Sequence, residues 1–389
     1  MLRNNQFSIF DFQYQIRVEK AAMCPTQRAV TALVALALPL ALTRRADTLD
    51  AHVQFSRVNV VKKNVGVLGC VGILLLSVPV WAQVKVSAIQ IYNGTCDASA
   101  AVALNDRLFI SASDEDSVLR VYQRSGGNAP VQRIDIAKLL RLDRSHPETD
   151  IEGAARLESR VFWIGSHSRS REGKERENRH RFFATSFEIH TNGVKVRLVG
   201  RPYKRLLDDL IAAPSLRALP LKAATRLAPD IPGGLNIEGL CAYGQKQLLI
   251  GFRNPVVNGR ALLVPLENPD DVIAGRTAKF GEPIRLDLDG LGIRDIANFE
   301  NKYLIIAGDV KGDAHPELFV WNGDATKPTR IKHVALKGLH PEAVVLYPDT
   351  GFHELQLFSD DGSRRNGATR CKDERNPAAK HFRSVRIEF

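Results

Sequence analysis

Cysteine is scarce in this chain: five among 389 residues, of which only Cys96, Cys241 and Cys371 lie beyond residue 82. Three cysteines permit at most one internal disulfide, and none has the spacing of a metal-binding motif. Cys241 lies in an apolar strand pattern and is expected to be a small buried residue. No G-x-x-x-x-G-K-[ST], H-E-x-x-H or G-x-S-x-G string occurs, so the chain lacks the signatures of a phosphate-cradling loop, a zinc protease helix and a nucleophile elbow. Long hydrophobic runs are also missing: the run 65–80 has 16 residues, short of the roughly 20 that span a bilayer. Nor does one sign of charge dominate. Residues 1–82 hold 9 Lys and Arg against 4 Asp and Glu, so the overall +11 falls to +6 for the remainder. A mild, mixed balance implies solubility and no nucleic-acid partner. The densest basic stretch, 169–181, interleaves Glu172, Glu175 and Glu177 and reads as a solvated loop.

What is present begins with a targeting pattern. Lys62 and Lys63 precede the apolar run 65–80, and Val80-Trp81-Ala82 forms a small-residue cleavage site, which together predict a secretory signal over 58–82. The mature protein is then expected near Gln83, periplasmic or secreted, with no stable membrane span after cleavage. Leu68-Gly69-Cys70 has the look of a lipoprotein cysteine, but most of the apolar run follows Cys70 instead of preceding it. Residues 1–57, with a second apolar run at 29–42 ending on Arg44-Arg45, read as a non-native or disordered upstream extension left by a start site placed too early.

From residue 83 onward one pattern recurs five times. An acidic residue opens an apolar strand, and 14 to 18 residues later a second strand ends on a polar or charged residue. Self-similarity of this kind marks an array of like units. The opening acids are Asp97, Glu152, Glu238, Asp295 and Glu342, at intervals of 55, 86, 57 and 47. Within the units, short alternating runs separated by turn residues predict four strands each: 153–157, 161–166, 182–189 and 194–199 in the second, with an Asn192-Gly193 hairpin turn. The third reads as 239–243, 247–252, 261–266 and 284–288, and the fourth as 296–299, 302–307, 317–321 and 331–336.

Four-stranded antiparallel units in series are blades of a β-propeller, so the expected fold is an all-β single domain over 83–389. The fifth unit offers three strands, 343–346, 354–358 and 382–389, and 84–92 alternates as the fourth; pairing of the two termini would close the ring and protect its edges. Five blades are expected. A sixth could hide in the 86-residue interval, but Leu206, Leu207, Leu210 and Ile211 fall at helical spacing there, which favours a helical insertion over 201–235.

First strands line a propeller's channel, so the five opening acids are expected to form a ring at one mouth, joined by the second-strand ends Asp114, His167, Arg253, Asp309 and Asp360. Clustered carboxylates raise one another's pKa and need a bound cation, ion pairs or shared protons. A divalent cation such as Ca²⁺ takes about 6 to 8 oxygen ligands, and Asp97, Asp295, Glu342, Asp309 and Asp360 are its candidate ligands. Glu152 and Glu238 are candidate ligands or general bases, and His167 and Arg253 candidate groups for holding a small or anionic ligand beside them. The alternative is that acids at repeated strand starts accept backbone N–H groups and lock blade to blade. Ser166-His167-Ser168 does not make a nucleophile, because neighbours on a strand point to opposite faces. Asp360-Asp361-Gly362 reads as a turn.

The strings DIEGAARLESRVFWIGSHSRSREGKERENRHRFF, NIEGLCAYGQKQLLIGFRNP, GLGIRDIANF and HPEAVVLYP, in this order, resemble a bacterial family known as domain of unknown function 3616, over roughly 95–389. The E-G-hydrophobic opening strand is also distantly similar to the esterase-like propeller domain associated with phytase activity. The first resemblance implies an exported propeller without an established reaction, and the second implies phosphate- or carboxylic-ester hydrolysis by analogy of fold. The chain departs from the E-G pattern at Asp97-Ala98, Asp295-Ile296 and Glu342-Ala343. A uniform metal-binding ring therefore does not follow. The functional expectation is a monomeric exported propeller with an acidic axial ligand site, either a metal-assisted hydrolase or a non-catalytic ligand-binding or scaffold protein.

Overall fold

Alternating burial along short apolar runs gives the described residues five blades of four strands, the outer strand of the fifth in two pieces, and little else. The computed structural model describes residues 84–389 apart from 144, 145, 192, 313, 314 and 337. The expected upstream extension, the signal at 58–82 and Asn192 of the hairpin turn lie outside the described residues. The first blade contains Ala100–Ala103, Leu108–Ala112, Val118–Gln123 and Gln132–Asp135, and the second Ile151–Leu157, Arg160–Gly165, Phe182–His190 and Gly193–Tyr203. The third contains Asn236–Tyr243, Gln247–Val257, Arg260–Leu266 and Ile284–Leu286; the fourth Gly292–Phe299, Lys302–Gly308, Glu317–Trp321 and Thr329–Arg330. Each is an antiparallel sheet in sequence order. In the fifth, Pro341–Leu346, Glu354–Ser359 and His381–Glu388 are completed by Lys85–Val86 and Gln90–Asn93, both paired with His381–Glu388. The first strand of every blade packs against those of its two neighbours, and the run closes from the fifth blade to the first. The fold is a five-bladed β-propeller closed by its own termini, as the repeat predicts.

The 86-residue interval holds no sixth blade. Leu206–Ala212 and Leu221–Ala224 are helical, and Leu206, Leu207 and Leu210 are buried against Phe162, Phe182 and Phe252 between the second and third blades. One strand differs from expectation. The outer strand of the fourth blade is Thr329–Arg330, not 331–336, because His333 adopts φ +64°, a left-handed conformation that a strand cannot contain. Among the described residues no helix is long and apolar enough to cross a membrane.

Closure is reinforced chemically. Tyr92 of the N-terminal strand stacks on Phe382 at 5.4 Å and meets Phe109 edge-on at 5.1 Å. Beneath it, buried Gln356 donates to Tyr92 Oη (3.0 Å) and Ser384 Oγ (2.8 Å) and accepts from Tyr347 Oη (2.7 Å), a fully satisfied polar clasp of the kind that specifies a single packing. Cys96 and Cys371 form a disulfide across 275 residues, and Cys241 is free and buried.

Gly153 and Gly239 follow the opening glutamates for a steric reason. A Cβ at Gly153 would lie 2.9 Å from both Ile164 Cγ2 and Leu240 Cβ, and one at Gly239 would lie 3.0 Å from Ile293 Cγ2. The first strands approach one another too closely for a side chain. Gly239→Ala is therefore expected to cost about 1–3 kcal/mol by overpacking, read as a lower urea midpoint at unchanged slope.

Candidate functional site

The strand register decides which side chains reach the channel mouth. Ile151 pairs with Gly165 and Gly153 with Ile164, so Glu152 is the extra residue of a bulge. The same slip isolates Glu238 between Ile237↔Phe252 and Gly239↔Gly251, Arg294 between Ile293↔Ala307 and Asp295↔Ile306, and Glu342 between Pro341↔Ser359 and Ala343↔Phe358. A bulge re-aims its extra side chain. The structurally equivalent positions are thus Glu152, Glu238, Arg294 and Glu342. In the first blade, counting back from Ala100↔Ala112 puts Ser99 there, with Asp97 two residues earlier, in the position of Asp150.

The expected ring of five acids is corrected accordingly: it holds three glutamates, a serine and an arginine. Asp295 falls one residue inward. It is buried, and its carboxylate accepts the Val344 N–H of the next blade at 2.8 Å. Burial pushes its pKa well up, against the opposing effect of the backbone bonds at Val344 and Ile296. This is the blade-locking arrangement anticipated as the alternative. Asp97 is buried and held by Ser99 Oγ (3.0 Å) and Ser113 Oγ (2.9 Å).

The mouth is a cleft of about 730 Å³ whose walls include Asp114, Glu152, Glu238, Arg253, Glu342 and Asp360. His167, Asp309, Asp97 and Asp295 are not among its lining residues. His167 has φ +53°, which turns its ring away. Its Nδ1 bonds the Gly165 carbonyl at 2.8 Å and the ring stacks on His180 at 5.6 Å. Burial, then His180, lowers its pKa to about 3, so it is neutral at every physiological pH. Ser166 instead bonds Asp150 and lies 2.9 Å from Ser168 Oγ. Asp309 contributes its carbonyl, which accepts from Arg253 Nε at 3.0 Å.

Most acids at the mouth are paired. Arg253 Nη1 meets Glu238 Oε1 at 2.7 Å, Arg294 pairs with Glu342 and lies 3.9 Å from Glu238, and Arg179 bridges Asp150 and Glu148 at 3.0 Å each. Two acids are not. Among the described residues, no ion pair or hydrogen bond engages the carboxylates of Asp114 and Glu152. Oxygens of Asp114, Asp150 and Glu152 lie within 4.8 Å of one another, and Asp114 forms a second such group with Asp97 and Glu115. Burial first, then the neighbouring carboxylates, pushes Asp114 and Glu152 well above the usual range. Burial, Asp360 and Glu115 raise Asp97 to about 7.

The linkage consequence has a definite sign. Folded Asp97 keeps its proton up to about pH 7, whereas the unfolded chain releases it near pH 4. Its contribution to stability is therefore complete below about pH 4 and lost as pH rises through about 7. Asp97→Asn should remove this component: in chelator, the gap in urea midpoint between wild type and variant is expected to shift in the variant's favour from pH 5.5 to pH 8. A gap independent of pH would contradict it.

One wall of the cleft comes from the insertion and is fixed. Fully buried Asn254 donates to the carbonyls of Pro229 (2.8 Å) and Ile231 (2.7 Å) and accepts from Gly233 N–H (3.2 Å). Sequence reasoning missed Asn236, Asp150 and Arg294. Aligning the repeats on the aliphatic residue that precedes each bulge, instead of on the acid, puts Arg294 and Ser99 in the glutamate column and Asp97, Asp150 and Asn236 in another.

A family model described as "Protein of unknown function (DUF3616)" matches residues 97–197 and 220–346, more than half of the chain. No curated protein matches it. Among solved structures, a putative oxidoreductase (glucose dehydrogenase) from Thermus thermophilus is 16% identical, over 78% of this chain and 99% of that one, with a TM-score of 0.40. YCF48 bound to D1 peptide is 9% identical over 71% of this chain, and a chain of the Mitotic Checkpoint Complex 9% over 74%, with TM-scores of 0.29 and 0.30. This chain spans 65% and 61% of those two. None of the three bears on activity.

Proposed function

Starting from the fact that the chain belongs to the DUF3616 family of proteins of unknown function, we propose that it is an exported propeller that holds a hard divalent cation at Asp114, Asp150 and Glu152 and binds an anionic ligand between that cation and Arg253. The observation that carries this reading is the contrast at the mouth. Glu238, Glu342 and Asp150 have arginine partners, while Asp114 and Glu152, adjacent to Asp150, have none. Unpaired carboxylates in a half-buried cleft are the oxygen donors a hard cation prefers, and they repel one another without it.

The activity proposed for this arrangement is hydrolysis of a phosphate or carboxylic ester. The cation would supply Lewis-acid polarisation of the ester oxygen. Arg253, anchored through Nε and Nη1, orients the anionic group, and Glu152 is the proton acceptor within the cleft. Glu238 is held by Arg253 and Asn236, which suits it to positioning Arg253. Two observations support export: the signal pattern at 58–82 and the Cys96–Cys371 disulfide, a bond that persists in oxidising compartments. Closure of the ring by the chain's own termini supports a monomer.

Asp114→Asn and Glu152→Gln are expected to act in opposite directions with and without metal. In chelator each variant should melt higher than wild type, because repulsion is relieved; with Ca²⁺, Mn²⁺ or Mg²⁺ present, each should lose the cation-induced rise. Turnover of an ester and phosphoester panel should fall with the metal response. If cation stabilises wild type and neither variant changes it, the site lies elsewhere. Cation binding without hydrolysis would favour the non-catalytic ligand-binding reading, to which the structural use of Asp295 already lends support.

A further inference from the structure

Cleft-lining Asn236 is 8% exposed and spends Nδ2 on Glu238 Oε1 at 2.8 Å. Its Oδ1 is shielded from solvent and has no donor among the described residues. The amide orientation is determined by its surroundings, because a flipped amide would set Oδ1 against the Glu238 carboxylate. A buried acceptor without a donor is rare in folded proteins and calls for a partner. In a cleft walled by carboxylates, the partner that satisfies the amide oxygen and the acids together is a cation.

Register ties Asn236 to the acidic group. It immediately precedes Ile237 as Asp150 precedes Ile151, so it occupies in the third blade the position of Asp150 in the second. Ile237 N–H donates to the Ser166 carbonyl at 3.0 Å, and Ser166 Oγ bonds Asp150. Ser166 thus ties the segment that carries Asn236 to Asp150 across the seam between the second and third blades, and both residues line the one cleft.

We propose that Asn236 Oδ1 is a neutral oxygen ligand of the cation held by Asp114, Asp150 and Glu152, and that it makes the site selective for Ca²⁺ over Mg²⁺. This rests on the cation reading above and adds a residue and a preference to it. Three carboxylates and an amide oxygen, drawn from three blades, form an irregular oxygen-rich set that suits a cation taking 6 to 8 oxygens at about 2.3–2.6 Å. Mg²⁺ demands near-octahedral geometry at about 2.0–2.1 Å and retains water.

Calorimetric titration of the full chain with CaCl₂ and with MgCl₂ tests this, using wild type, Asn236→Ala, Asn236→Ser and Asp114→Asn. Asn236→Ser retains a donor toward Glu238 but lacks the amide oxygen, so it preserves a merely structural role and removes the proposed ligand. Wild type is expected to bind Ca²⁺ more tightly than Mg²⁺. Both Asn236 variants should lose Ca²⁺ affinity by about tenfold or more, the scale on which residues around a metal act, with a smaller loss for Mg²⁺; in chelator Asn236→Ser should melt as wild type does, whereas Asn236→Ala, which loses the donor to Glu238, should melt lower. Wild-type Ca²⁺ affinity in Asn236→Ser would overturn this inference, while loss of binding in Asp114→Asn would leave the cation reading standing. If wild type binds neither ion, both fall. Should Asn236→Ala fail to fold, Asn236→Ser decides alone.

Discussion

Replacing Cys96 and Cys371 together by alanine is expected to lower the melting temperature by about 8 °C. The disulfide closes a loop with a sequence separation of 275; loop-closure entropy alone would make it worth about 5–6 kcal/mol at such a length, and removal of a native disulfide costs about 2–5 kcal/mol in practice, so about 4 kcal/mol is taken. For a domain of this size, each kcal/mol moves the midpoint by roughly 2 °C. The bond also fastens two segments that border the site. Asp361 N–H donates to the Cys96 carbonyl at 2.9 Å, Lys372 N–H donates to the Gly362 carbonyl at 3.0 Å, and Lys380 lies 3.8 Å from Glu115. Calorimetry of the double variant checks the expectation. A midpoint within about 1 °C of wild type, half of what a single kcal/mol would produce, would mean that terminal-strand pairing and the Tyr92 cluster close the ring without help, and that the disulfide has another role.

Arg294→Met is expected to destabilise the propeller by about 3–5 kcal/mol, because removing one partner leaves buried charge uncompensated. Arg294 is 7% exposed; it pairs with Glu342 and lies 3.9 Å from Glu238. Burial lowers its own pKa, with Glu238 opposing that shift, so its charge depends on these acids as much as theirs on it. Gly308 is part of the same arrangement: a Cβ there would lie 2.7 Å from Arg294 Cδ, so Gly308→Ala should displace the guanidinium and reproduce a fraction of the loss. Urea denaturation of Arg294→Met and of Arg294→Met/Glu342→Gln separates the contributions. The second substitution should restore part of the stability, since it neutralises the stranded acid. If it destabilises further, the pair is not the source of the effect.

Where the sequence was legible, the information was local. Strands such as Arg160–Gly165 and Lys302–Gly308 appear as apolar runs bounded by turn residues, and Leu206, Leu207 and Leu210 declare a buried helical face. The outer strand of the fourth blade was illegible because His333 bends the backbone where an apolar run continues. At the site, Glu152, Glu238, Arg253, Glu342 and Asp360 do line one cleft. His167 does not, because its positive φ inverts the alternation that a strand would have given it.

Periodicity within a few residues is enough to fix the repeat, the four-stranded blade, the closure by alternation over 84–92 at the N-terminal end of the propeller and the burial of Cys241. The makeup of the ring, by contrast, follows from how the blades pack. A bulge can eject either of two adjacent polar residues, and in Arg294-Asp295 it ejects the arginine and keeps the acid as a lock for Val344. The pairing of Cys96 with Cys371, of Arg294 with Glu342 and of Arg253 with Glu238 was likewise decided by blade packing. These choices join residues 15 to 275 positions apart, and no periodicity carries information over such distances: it is the close approach of neighbouring first strands that selects which side chains meet and leaves Asp114 and Glu152 without a protein partner.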